Sequence, residues 1–442
     1  MSTAAGSALK TGTWLRATGW LLLPLICVLF VLLVPTLDRV HGLVVLFFAI
    51  SAASLLMAPR GLAVARTWVV GYLVLQFPAR TLFLLTAPKE RPPLFAELSP
   101  GVGLEPALAT ALLQSCAGLA VMLLAYGLVA RPREEQSRVV TAVALRRAPL
   151  LTILALAALL LPVEVATASS NAAGGSFIYS LPGLVASGAA AAACYAVVQH
   201  PRQHFLSAAL GLAYAGARVN LLHSKLALLG CLVALLVAFA GREQERRGGR
   251  SMTLRGAAVL LTTAVAALTV FAVSSGRTRG QDATGSVFQG GSAAVSRSYG
   301  VDALVASNAY LDAGHRHMHG QSFVDLATSW VPRNLWPDKP RSFSIRYGEE
   351  VFSFSHSVGS EFFAPSYSGE WLLNFGLVGL FAGWAIFGVV LAKVDALPSL
   401  PHRTLWLVPL VHMVEGSVVA QLWLALPFVL GGYAVLARPV RR

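Results

Sequence analysis

Charged side chains are scarce in this sequence, and a few of them sit where a charge is costly. Arg80, in FPARTLF, and Arg218, in YAGARVNLLHSK, each interrupt an apolar stretch, with His223 and Lys225 just beyond Arg218. An ionisable group at such a place is a functional candidate, because burying its charge costs free energy. A second set of cations lies further on. Arg333, Lys339 and Arg341 sit on a segment stiffened by Pro332, Pro337 and Pro340, with Arg297 upstream and Arg346 downstream. Proline fixes φ and disfavours a long helix, so these cations are held on a rigid, extended course. Arginine can grip a phosphate with two parallel hydrogen bonds, and lysine adds a point charge. Arg80, Arg218, Lys225, Arg297, Arg333, Lys339 and Arg341 are therefore the candidate ligands for a phosphate or pyrophosphate group. Glu370, Glu361 and Asp302 are the candidate catalytic carboxylates, since a carboxylate can act as general base toward a sugar hydroxyl. The competing readings are plainer. Arg80 can snorkel to an interface, and loop charges can form solvated pairs. Glu164 and Glu415 read as interfacial groups near helix ends.

Other chemistry finds less support. The run His315-Arg316-His317-Met318-His319 alternates histidines, but no Cys or carboxylate motif completes a metal set and Arg316 sits in its middle. A solvated loop tip is expected there, and no metal site. No GxxxxGK[ST] and no strand-linked GxGxxG occurs, so no nucleotide-sugar site is expected. The cysteines Cys27, Cys116, Cys194 and Cys231 all fall in apolar stretches, which implies no disulfide framework.

The elements that must position these residues follow from composition. Charged residues are 12% of the chain, apolar ones 56%, and the mean hydropathy is +0.67. A soluble protein carries about 25% charged residues, so too little charge is present to coat soluble domains. This excludes a soluble enzyme, a disordered chain and an aqueous nucleic-acid binder. An all-α, polytopic integral membrane protein is expected. Runs of roughly 20 apolar residues lie near 19–35, 43–58, 67–87, 106–129, 149–168, 178–198, 205–221, 222–240, 256–274, 369–391, 404–419 and 420–437. That is about twelve transmembrane helices. Residues 205–240 and 404–437 are short for two crossings each, so each could instead be a short hairpin or one long crossing with a broken end.

The formal net charge of +14 then becomes a question of sidedness. With the N-terminus in the cytoplasm, the segments 1–18, 59–66, 130–148, 199–204, 241–255, 392–403 and 438–442 face inward. They hold 20 of the 34 basic residues and 5 of the 20 acidic ones, a net of +15. Everything else holds 14 basic and 15 acidic residues, a net of −1. This is the positive-inside pattern, and it places both termini in the cytoplasm. No cleavable signal peptide is evident. The chain divides into N-terminal membrane helices (1–274), a large extracytoplasmic loop (275–368) and C-terminal membrane helices (369–442). The loop carries eight basic and eight acidic residues and is too long for a mere connector. It opens on a Gly- and Ser-rich tether, turns helical in pattern from Arg297 to about Asp312, and ends where Glu370 enters the next span. There the helix dipole favours a carboxylate.

The stretches VPRNLWPDKP (331–340) and SYSGEWLLNFGLVGL (366–380) resemble the O-antigen polymerase (Wzy-type) and oligosaccharide repeat-unit polymerase families. The matching positions are Pro332, Arg333, Trp336, Pro337, Lys339 and Pro340, then Gly369, Glu370, Asn374, Phe375, Gly376 and Gly379. A membrane-embedded arginine before a late basic cytoplasmic loop is similar too, at Arg218. The resemblance implies a polysaccharide polymerase of the bacterial cytoplasmic (inner) membrane. A growing glycan on undecaprenyl pyrophosphate would be the donor, and a lipid-linked repeat unit the acceptor. Transfer would be inverting, independent of nucleotide sugar and of metal, with no cofactor. A flippase and a chain-length regulator would be its partners, and nucleic acid would not. Arg341 and Arg346 exceed what the family pattern needs, which leaves open which arginine meets which phosphate. Alternatives of the same layout are an O-antigen ligase-like protein or a polyprenyl-phosphate-sugar-dependent glycosyltransferase. A lipid-linked oligosaccharide flippase is disfavoured by the large loop and by the lack of visible two-half symmetry.

Overall fold

The computed structural model describes residues 38–56, 65–86, 103–130, 145–172, 180–222, 226–246, 299–328, 331, 335–339, 343–351, 365–416 and 418–436. Among these residues the regular elements are all helices. In chain order they are α1 (Arg39–Leu56), α2 (Ala65–Thr86), α3 (Leu104–Val129), α4 (Arg147–Ala172), α5 (Leu181–Gln199), α6 (Pro201–Leu222) and α7 (Leu226–Arg246). Three short helices of the large loop follow: α8 (Gly300–Asp312), α9 (Gln321–Thr328) and α10 (Phe343–Val351). The chain then forms α11 (Ser366–Asp395), α12 (Leu400–Glu415) and α13 (Val418–Val435).

Among the described residues five helices are long and apolar enough to cross a membrane: α2, α3, α5, α11 and the Arg147–Ala166 part of α4. Ten of the twelve expected spans coincide with a helix, while 19–35 and 256–274 lie outside the described residues. The two doubtful stretches resolve differently. Over residues 205–240 the chain forms α6, which starts at Pro201, and α7, which runs on to Arg246, and neither is among the five. At 22 and 21 residues they reach about 33 and 31 Å, at about 1.5 Å per residue. In contrast α12 has only 16 residues and rises about 24 Å, less than a hydrocarbon core of about 30 Å.

α5 occupies the centre, packed against α4, α6, α7 and α13. Its sequence, LPGLVASGAAAAACYAVVQ, begins with a proline in the first turn and continues with alanine, the best helix former. The same small side chains let neighbours come close. A Cβ on Gly188 would lie 1.7 Å from the Phe428 carbonyl oxygen of α13, so the two backbones touch. Such contacts suit helices in an apolar solvent, where packing rather than water exclusion drives association. α11 packs on α3 and on α8. At the opposite end from the large loop, the Asp395 carboxylate at the end of α11 accepts the Ala65 N–H at the start of α2 (2.7 Å) and the Tyr126 hydroxyl of α3 (3.0 Å).

α8, from the stretch expected to be a large loop, is seated in the bundle. Residues Gly300–Ser307 of α8 are all buried, against α2, α3 and α11. This helix matches the pattern expected from Arg297 to Asp312. α9 and α10 flank the segment that contains Pro332, Pro337 and Pro340.

Candidate functional site

Pro78 decides the local course of α2. It lacks an N–H and its ring crowds the preceding turn, so the helix widens to a π turn over Leu75–Ala79. Such turns recur at functional sites. Arg80 follows at once, and its guanidinium points into the bundle rather than snorkelling outward, with 1% of the residue exposed. Its Nε and Nη2 donate to the two carboxylate oxygens of Asp302 on α8, both at 2.9 Å. Asp302 is fully buried. Burial pushes its carboxyl up and the Arg80 guanidinium draws it back down. The rings of Phe83 and Tyr299 lie 5.4 and 5.6 Å from the Arg80 guanidinium carbon, completing its surroundings with cation–π contacts.

Amides continue this seam. Gln76 Oε1 accepts the Gly300 N–H at the start of α8 (2.9 Å). A Cβ on Gly300 would meet the Gln76 side chain at 2.9 Å, so the approach depends on glycine. Gln114 of α3 and Asn308 of α8 exchange two amide hydrogen bonds, at 2.9 and 2.8 Å. From the far side, the Tyr347 hydroxyl of α10 donates to the Ala303 carbonyl (3.0 Å). On α2, one turn before Gln76, Tyr72 donates to the Glu415 carboxylate at the end of α12. Tyr72, Gln76 and Arg80 thus form a polar series at four-residue spacing on α2.

A second buried pair joins α4 to α6. Arg218 donates through Nη2 to Glu164 and through Nη1 to Ser187 Oγ of α5 (3.3 Å). Gly183 leaves the room for it: a Cβ there would fall 2.4 Å from Arg218 Nη1 and 2.5 Å from Glu164 Oε2. Glu164 is therefore a buried ion-pair partner.

The third centre lies on α11. The helix starts at Ser366, so Glu370 belongs to its second turn rather than its first. Its carboxylate accepts the Val418 N–H at the start of α13 instead. The N-terminus that this carboxylate serves belongs to a neighbouring helix. Glu370 is fully buried. Asn374, one turn on, donates to the Glu370 carbonyl (2.8 Å) and to Ser322 Oγ of α9 (2.9 Å), and accepts the Gly320 N–H (2.8 Å). α11 breaks at Gly376, whose φ of 66° and ψ of −159° suit glycine alone. The loop before α9 fills the break: the Met318 N–H donates to the Leu373 carbonyl at 2.9 Å. The histidines of that loop are exposed, with His315 stacked on Tyr310 at 4.2 Å between ring centroids. Among the described residues no three His, Cys, Asp or Glu side chains gather as a metal set.

Lys339 is buried, and its ammonium donates to the Val331 carbonyl (3.0 Å). Beside it, Asp325 of α9 pairs with Arg346 of α10. Burial raises the Asp325 carboxyl, and the charges of Arg346 and Lys339 oppose that shift. The remaining candidates, Lys225, Arg297, Arg333, Arg341 and Glu361, lie outside the described residues. Sequence reading missed Tyr72, Gln76, Gln114 and Asn308. The four-residue spacing of Tyr72, Gln76 and Arg80 was a signal open to it, whereas the Gln114–Asn308 match left none. Comparison of the chain with protein-family models, curated proteins and solved structures returns no match in any of the three.

Proposed function

We propose that this chain is a membrane glycosyltransferase that joins undecaprenyl-pyrophosphate-linked oligosaccharide repeat units at the outer face of a bacterial cytoplasmic membrane. The observation that carries the reading is a convergence on α9. Described residues of both stretches that bear the family resemblance adjoin that short helix, with the Val331 N–H donating to the Thr328 carbonyl (3.1 Å). Phe323 of α9 packs on Trp371 (5.3 Å) and Phe375 (6.1 Å), and the charge of Lys339 acts on Asp325 of the same helix.

In the proposed reaction a hydroxyl of the incoming repeat unit attacks the anomeric carbon of the growing glycan. The bond from that carbon to the pyrophosphate oxygen breaks, undecaprenyl pyrophosphate leaves, and a carboxylate takes the hydroxyl proton. Cations near the headgroups stabilise the leaving pyrophosphate. The buried pairs divide these roles. Asp302 has both oxygens on Arg80, which suits the two to anchoring α8, and Arg218 is likewise neutralised by Glu164. Phosphate binding then falls mainly to the loop cations, Arg333 foremost, with Arg297 and Arg341. Glu370 and Glu361 are the stronger candidates for the base.

The test is reconstitution of the purified protein with a synthetic pyrophosphate-linked repeat unit. Wild type should build a ladder of longer glycans, with EDTA present or absent. Arg333→Ala should build none, and Glu370→Gln should build none while still binding the lipid-linked unit. Flipping of labelled lipid without chain growth would overturn the proposal in favour of a transporter. Transfer of a finished glycan to another acceptor, again without growth, would favour a ligase. Full activity of Glu370→Gln would remove Glu370 as the base.

A further inference from the structure

α9 turns two polar side chains inward and an apolar one outward. Its Ser322 (0% exposed) and Asp325 (6%) turn toward the protein, while Val324 (56%) turns outward. A helix facing water buries its apolar side and shows its polar one. The adjoining turn behaves in the same way. Leu335 is 75% exposed and Trp336 is also exposed, while Lys339 of that turn is buried. Two bonds hold the turn, from the Lys339 ammonium to the Val331 carbonyl and from the Lys339 N–H to the Trp336 carbonyl (3.1 Å).

This apolar face continues one that belongs to a membrane-length helix. Phe323 of α9 stacks on Phe375 of α11, which is itself exposed and is followed by Leu377 and Val378, the latter 81% exposed. α11 is long and apolar enough to cross a bilayer, so its outward face is a lipid face. Tryptophan beside polar groups is a side chain suited to the headgroup boundary. Gln321 and Asp338, both exposed, supply the polar edge. An aqueous loop would hide such residues, and an exposed apolar patch marks a contact surface.

We propose that α9 and the 335–339 turn lie in the outer leaflet, with Val324, Leu335 and Trp336 sunk into the boundary between headgroups and acyl chains. The large loop is then a structure resting on the bilayer. Lys339, Asp325 and Arg346 stand at headgroup depth, where a lipid-linked pyrophosphate would lie. The inference rests on the membrane reading of the helices and is independent of the transfer chemistry.

Nitroxide labels on the full chain test it, in vesicles of phosphatidylethanolamine and phosphatidylglycerol. Val324→Cys, Leu335→Cys, Val378→Cys and Ala313→Cys would each be made in a background with the four native cysteines replaced. Labels at 324 and 335 should collide with oxygen far more than with an aqueous nickel chelate, as the label at 378 should. The label at the exposed Ala313 should show the reverse preference. Nickel-favoured collisions at 324 and 335 would overturn the inference, as would protection from both reagents, which would mean a protein cover. If the label at 378 is also water-exposed, the membrane reading itself fails. A measurement without cysteine replacement stands beside this one. The fluorescence lost in Trp336→Phe should be the part quenched by lipids brominated near the headgroup end of their chains. If acrylamide in the water quenches it and brominated lipid does not, the inference is wrong.

Discussion

Arg80 and Asp302 each invite a functional role when read alone, one as a phosphate ligand and the other as a base. Together they satisfy each other. A buried ion pair with two good hydrogen bonds is weak evidence of net stability, but removing one partner strands the other charge. Asp302→Ala should therefore lower the unfolding free energy by about 3–5 kcal/mol, read as a fall in melting temperature in detergent. The double variant Arg80→Met/Asp302→Leu should recover much of that loss, because it removes both desolvation costs. A double variant no more stable than Asp302→Ala would show that the pair does more than neutralise itself. The same logic applies to Arg218 and Glu164, where Ser187 adds a third partner.

At the scale of elements, the bundle depends on helices that touch through their backbones. Between α5 and α13 this closeness rests on Gly188, where a side chain would run into the Phe428 carbonyl. Gly188→Ala should force the two helices apart at a cost of about 1–3 kcal/mol. Gly71 of α2 provides the contrast, since nothing lies within 4 Å of a Cβ placed there. Gly71→Ala should leave stability unchanged or raise it by about 0.5–1 kcal/mol through helix propensity. Melting temperatures of the two variants, measured side by side, check the pair of expectations. α11 shows another rule of the bundle. Its break at Gly376 frees the Leu373 carbonyl, and the Met318 N–H answers it. Irregular backbone at membrane depth persists where protein satisfies it. Here the protein that does so comes from the large loop.

For the whole molecule the distribution of charge predicts an orientation. The segments expected to face inward carry +15 and the remainder −1, which predicts that Ala313 and Arg133 lie on opposite sides of the membrane. Cysteines placed at 313 and 133 can be probed in intact cells with a membrane-impermeant maleimide. The first should react at once and the second only after permeabilisation; the opposite order would invert the topology and move the candidate site to the cytoplasm. Helix positions were largely legible in the sequence, because a run of apolar residues of the right length is a local signal. The reach of α6 and α7 was less so, since their ends lie in polar residues beyond the apolar run.

The sequence by itself determined the solvent this chain is made for, the helices it forms and the two arginines that would be costly inside them. Hydropathy and charge count are properties of the composition, and need no fold to be read. Partners are another matter. Arg80 and Asp302 stand 222 residues apart, Tyr72 and Glu415 343 apart, and Glu370 and Val418 48 apart. No local pattern links such residues, because pairing depends on which helix faces lie together. Only the tertiary structure decided that α8 is seated in the bundle, that Arg80 and Arg218 are paired with carboxylates, and that Val324 of α9 faces outward.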